Sequence, residues 1–106
     1  MGRYLWQVRY SAEGAQGLLA QGGSARRDAI IAMVESVGGR VESCYFALGD
    51  DDLIVIGEVP NEVVAEALSV QTAASGGAVS RATPLLTAEQ VDEATKIEIR
   101  YRPPRA

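Results

Sequence analysis

Two apolar runs, Val41 to Leu48 and Leu53 to Val59, are separated only by Gly49-Asp50-Asp51-Asp52. Nothing else in the chain constrains the fold as strongly. Runs of this length, rich in branched and aromatic residues, read as strands. A short Gly/Asp connection reads as the turn of a β-hairpin, with Gly49 taking positive φ and the aspartates bonding their own backbone.

The elements on either side complete the pattern. Arg3 to Tyr10 alternates Tyr4, Trp6, Val8 and Tyr10 with Arg3, Leu5, Gln7 and Arg9, which predicts a strand with one clearly apolar face. Ser11 stands as an N-cap before a glycine-loosened helical turn or two that ends at Gly22-Gly23, and Ser24 restarts the pattern. Ile30, Ile31, Val34 and Val37 then recur at helical spacing. Arg26, Arg27 and Asp28 are expected outside, and Gly38-Gly39 closes the helix. Beyond Pro60-Asn61, Glu62 to Ala74 reads as a second helix with Val63, Val64, Ala67, Leu68 and Val70 on one side. Ala78 to Leu85 is the fourth strand.

The order β-α-β-β-α-β predicts an α+β fold, a ferredoxin-like sandwich with two helices on one face of a four-stranded antiparallel sheet. That domain is expected over residues 1–86, with 87–106 as an extension. In the extension, Thr87 and Gln90 have the spacing of a capping box on a short helix. "KIEIRY" alternates like a strand, edge or swapped, that halts at Pro103-Pro104 and finds its partner on another subunit.

Composition removes several function classes. The chain has 106 residues with 47% hydrophobic and 23% charged, enough to build one core without a staple. A formal charge of -4 repels phosphate backbones, so nucleic acid is not an expected partner. With no histidine and one cysteine, Cys44, the chain holds neither an internal disulfide nor a Cys/His zinc site. No stretch reads as a membrane span or as a signal peptide's apolar segment, which predicts a cytoplasmic protein.

The three aspartates are the first candidate site. Hard cations need oxygens converging from alternating loop positions, whereas adjacent side chains point apart, so no metal is expected there. A turn with Asp52 accepting local backbone bonds is the favoured reading over a general base. Glu58 shares an apolar strand face with Ile54 and Ile56. It is a candidate for proton transfer, though an ion pair with Arg9 or Arg81 is the commoner outcome. Gln7 and Arg9, on the less apolar face of the first strand, are candidates to bind a small anion. Trp6 and the tyrosines Tyr4, Tyr10, Tyr45 and Tyr101 read first as core, then as a platform for a flat ligand. Cys44 lacks an activating histidine and reads as a structural thiol. No glycine spacing suits a phosphate loop, and no cofactor is expected.

Tyr4 with its strand, the helix ending at Gly38-Gly39, the stretch "YFALGDDDLIVIGEVP" and the strand before Thr87 together resemble the GYD-domain family of small bacterial proteins. The resemblance spans about four-fifths of the chain, the extent of the βαββαβ unit. Gly49, Asp52, Glu58 and Pro60 match the family's hairpin signature, while Asp51 stands where a tyrosine is expected. The resemblance implies a dimeric α+β barrel, two ferredoxin-like sheets packed face to face, and it implies no established activity.

Two functional classes follow. One is a non-catalytic homo-oligomeric module that binds a small molecule or partner between its sheets. The other is a cofactor-independent enzyme of the monooxygenase or isomerase type. The module is preferred because no nucleophile-base pair or metal constellation is present. A closed pocket holding a carboxylate and an aromatic would favour the enzyme, and a filled core the module. The ligand-binding candidates are Gln7, Arg9, Tyr45, Asp52, Glu58 and Arg81.

Overall fold

The computed structural model describes residues 1–104. Its strands are β1 (Gly2–Tyr10), β2 (Arg40–Phe46), β3 (Leu53–Val59) and β4 (Ala78–Leu85). Its helices are α1 (Ala12–Gln21), α2 (Gly23–Ser36), α3 (Glu62–Ala74) and α4 (Ala88–Thr95). The strands form one antiparallel sheet in the order β2-β3-β1-β4. This is the expected α+β, ferredoxin-like arrangement, with β1 and β3 side by side at the centre.

The two faces of the sheet follow from the alternation. Tyr4, Trp6 and Val8 of β1 and Leu53, Val55 and Val59 of β3 are buried, and they pack against Ile30, Val34, Ala65 and Leu68 of the helices. At about 1.5–3 kcal/mol for each large apolar side chain fully buried, this cluster is the main stabilising contribution. α2 lies chiefly over β2 and α3 over β4, so the central strands are roofed from both sides.

Several local expectations change. The segment after Ser11 is a helix of ten residues, not a turn or two. Ser11 caps it by accepting from Gly14 N, and also donates through its hydroxyl to Gly76 O and Gly77 O. That tie to the α3–β4 turn holds the glycine-rich sequence helical. α2 is preceded by Gly22 at φ 87°, so Ser24 lies inside the helix and is not its cap. The α2 stop is as expected: Gly38 has φ 82°, and Gly39 N bonds Val34 O.

In α3 the inward residues are Ala65, Leu68 and Ser69, while Val63, Ala67 and Val70 are exposed. Leu68 is buried and Val64 packs against the core as expected, but the stripe turns through the small residues Ala65 and Ser69 and not through Val63, Ala67 and Val70. α4 has its capping box in place between Thr87 and Gln90. No strand forms over Lys96 to Pro104 within the single chain, and Ile97, Ile99 and Tyr101 are exposed.

The β2–β3 connection is a six-residue loop, 47–52, closed by Ala47 N to Asp52 O at 2.9 Å. The positive-φ residues are Gly22, Gly38 and Gly76. Gly49 is not one of them, so the left-handed turn expected there is corrected: the longer loop turns without it.

Candidate functional site

Two regions present functional groups. The first is the sheet face without helices, where strand register sets the neighbours. Tyr45, Ile54, Gln7 and Arg81 form one row across the sheet, and Ser43, Ile56, Leu5 and Thr83 the next. The third row opposes Arg40, Glu58, Arg3 and Leu85. Leu5, Ile54 and Ile56 are half-buried here, and Tyr45 and Val79 are exposed.

The polar residues of this face are paired with one another. Glu58 accepts from Arg3 Nη2 at 3.0 Å and from Arg40 Nη2 at 3.2 Å, and Arg3 Nε also donates to Glu42 at 2.9 Å. The expected ion pair of Glu58 therefore exists, but with the arginines opposite it in register and not with Arg9 or Arg81. Asp51 Oδ2 accepts from Gln7 Nε2 at 3.1 Å and from Arg81 Nη2 at 3.4 Å. Arg9 Nε donates to Asp50 O.

Asp52 is a staple between loop and strand. Its Oδ2 accepts from Tyr10 N at 2.9 Å, and its own N donates to Val8 O at 2.8 Å. The expected local bond inside the turn is corrected to a contact between residues far apart in sequence. Among the described residues, no three carboxylate or thiol side chains gather as a metal site. Asp51 and Asp52 each turn to a separate partner. Asp51 joins Gln7 of β1 and Arg81 of β4 through one carboxylate oxygen.

The second region lies on the other side of the sheet. Because α2 and α3 cover the outer strands, a cavity of about 60 Å³, partly open to solvent, remains above β1 and β3. Its walls are mostly apolar, with Val8, Ile30, Leu53, Val55 and Leu68 among them. Three further lining residues carry polar atoms that are buried and have no hydrogen-bond partner: Trp6 Nε1, Tyr10 Oη and Arg26 Nε. Thr72 and Ser80 also line it, but their hydroxyls bond Leu68 O and Ser69 Oγ.

A cavity of this size, partly open to solvent, has room for water against these atoms, so their hydrogen-bonding capacity is free for water or for a ligand. Burial pushes the Tyr10 phenol pKa up, and the nearby Arg26 guanidinium opposes that rise by its charge and by hydrogen bonding to the phenolate. Burial also raises the Cys44 thiol, against Arg27, which disfavours the thiolate a nucleophile needs.

Sequence reasoning placed Arg26 outside with Asp28 and assigned Trp6 and Tyr10 to packing. Trp6 is indeed a core residue at 5% exposure, yet its ring nitrogen is an orphan. The available signal was a tryptophan on the apolar face with no polar neighbour in its own strand face, since Trp N–H groups normally find a partner when buried. A wider groove, of about 470 Å³, lies by Arg3, Tyr4, Glu58 and Gln90. Its charged side chains, Arg3 and Glu58, are paired with each other.

The sheet order, the loop staple and the closing helix define a ferredoxin-like α+β module with an intact open face. The chain belongs to the GYD-domain family, whose family model matches residues 4–95, a range that runs through α4. No curated protein and no solved structure matches it. No helix is long and apolar enough to cross a membrane.

Proposed function

We propose that this GYD-domain chain is a non-catalytic, homo-oligomeric module that buries its open sheet face against a second copy and holds a small molecule. The observation that carries the reading is the pairing of polar groups on that face. Leu5, Ile54 and Ile56 lie half-buried among Gln7, Arg9 and Glu58, each of which already has a partner within the chain. A two-fold copy covers the apolar centre without stranding a charge, which would otherwise oppose closure. The family resemblance to face-to-face barrels supports the same arrangement.

The binding role is supported by the cavity. It holds aromatic residues but no carboxylate, so the arrangement that would favour an enzyme is incomplete. Introducing Ile56→Asp places an unpaired charge at the centre of the face. Sedimentation velocity is expected to show a two-fold oligomer for the unaltered chain and a folded monomer for the variant. An unaltered chain that sediments as a monomer contradicts the reading.

A further inference from the structure

We propose that the cavity between the helices and the centre of the sheet is a binding site for a short-chain aliphatic carboxylate, held by Trp6, Tyr10 and Arg26. This deepens the small-molecule part of the proposed function and does not depend on the oligomeric part.

The donor set selects the ligand's polar end. An indole N–H and a guanidinium N–H only donate, and a phenol donates as well as accepts. Trp6 Nε1, Arg26 Nε and Tyr10 Oη are all buried without a regular partner, so of the three the phenol oxygen is the one acceptor beside two groups that can only donate. The Arg26 guanidinium makes no ion pair among the described residues, and no acidic side chain lines the space. A group with several acceptor lone pairs and one negative charge satisfies all three at once. A planar carboxylate does so and suits the guanidinium fork.

The walls select the other end. Val8, Ile30, Leu53, Val55 and Leu68 favour an apolar body. Size then decides which body. The cavity measures about 60 Å³, several times the ~10–15 Å³ that one water needs, but well below the ~150 Å³ of an apolar cavity that takes benzene. Benzene needs the larger cavity, so a carboxylate carrying a chain of about two carbons fits where an aromatic ring or a longer acid does not.

Trp6 is the only tryptophan in the chain, so its fluorescence reports on this cavity directly. The full chain is titrated with propionate at constant ionic strength, and with 1-propanol as the uncharged counterpart. Propionate is expected to give a saturable change with a Kd below about 1 mM, within reach for a ligand of so few atoms. The alcohol is expected to bind at least tenfold more weakly. Arg26→Met, which keeps the aliphatic stem, and Tyr10→Phe are each expected to weaken propionate at least tenfold, with circular dichroism and oligomer mass unchanged. If either variant unfolds, the contrast between propionate and the alcohol on the unaltered chain decides. No saturation by propionate, equal binding of the alcohol, or full affinity in folded Arg26→Met overturns the proposal. A monomer that binds propionate sinks only the oligomer reading, and a dimer that does not sinks only this one.

Discussion

Glycine does opposite things at two neighbouring positions of α1. A Cβ on Gly14 would overlap the Gly77 carbonyl, whereas at Gly17 there is nothing within 4 Å. Alanine gains about 1 kcal/mol over glycine in a helix interior, but overpacking costs about 1–3 kcal/mol. Gly17→Ala should therefore stabilise the protein by up to about 1 kcal/mol, and Gly14→Ala should destabilise it by about 1–2 kcal/mol net. Urea unfolding of the two variants checks both signs, and a stabilised Gly14→Ala would show that α1 is not seated on the α3–β4 turn. Tyr10 carries a second prediction. Its folded pKa is raised by burial above the ordinary value of 10.0, so its contribution is present below pH 10 and lost as pH rises through the higher folded value. Thermal melts should lose stability above about pH 10, where the unfolded phenol ionises first. Tyr10→Phe should flatten that loss, apart from the part due to Cys44, whose thiol is raised in the same sense. A slope unchanged in the variant would contradict the assignment.

At the scale of elements, the sheet was legible and its cross-links were not. Period-2 alternation assigns every residue of β1 and β3 to a face from sequence alone, because side-chain direction in a strand is fixed by parity. The bounds of α3 and β4 were readable for a related reason: Asn61 caps one end of the helix and Gly76, at φ 78°, closes the other. Partners across the sheet depend on register and strand order, which no single strand encodes. Glu58 meets Arg3 because β1 lies directly beside β3 with these residues opposed, and Asp52 reaches Tyr10 N across a separation of 42 residues. Arg26 was missed because a helical wheel assigns a charge to solvent, while a long aliphatic stem lets a guanidinium reach under the helix. Removing the Asp51 carboxylate by Asp51→Ala should cost about 1–2 kcal/mol, most of it from the part-buried Gln7 donor left without its acceptor, since Arg81 is 67% exposed and such pairs are weak. A loss of several kcal/mol in urea unfolding would mean that the link between β1 and β4 matters far more than its exposure implies.

The whole molecule is more extended than its core requires. Its radius of gyration is 17.0 Å, against about 13 Å expected for a compact domain of this length. The excess lies in α4 and the segment after it, which are exposed throughout and display Val91, Ile97, Ile99 and Tyr101. Together with the apolar centre of the open face, this arm is where a second copy is expected to add contacts, through strand addition by "KIEIRY". Truncation after Lys96 should leave the circular dichroism spectrum and melting of the core essentially unchanged while weakening self-association. If association is as tight without the arm, the sheet face alone carries it. Association through the open face is tested by the mass of the intact chain, measured by light scattering during size-exclusion chromatography. The mass expected is about twice the 11.2 kDa of one chain, or a larger even multiple, at about tens of micromolar, where obligate dimers persist. A single-chain mass of 11.2 kDa that holds throughout that range would contradict it.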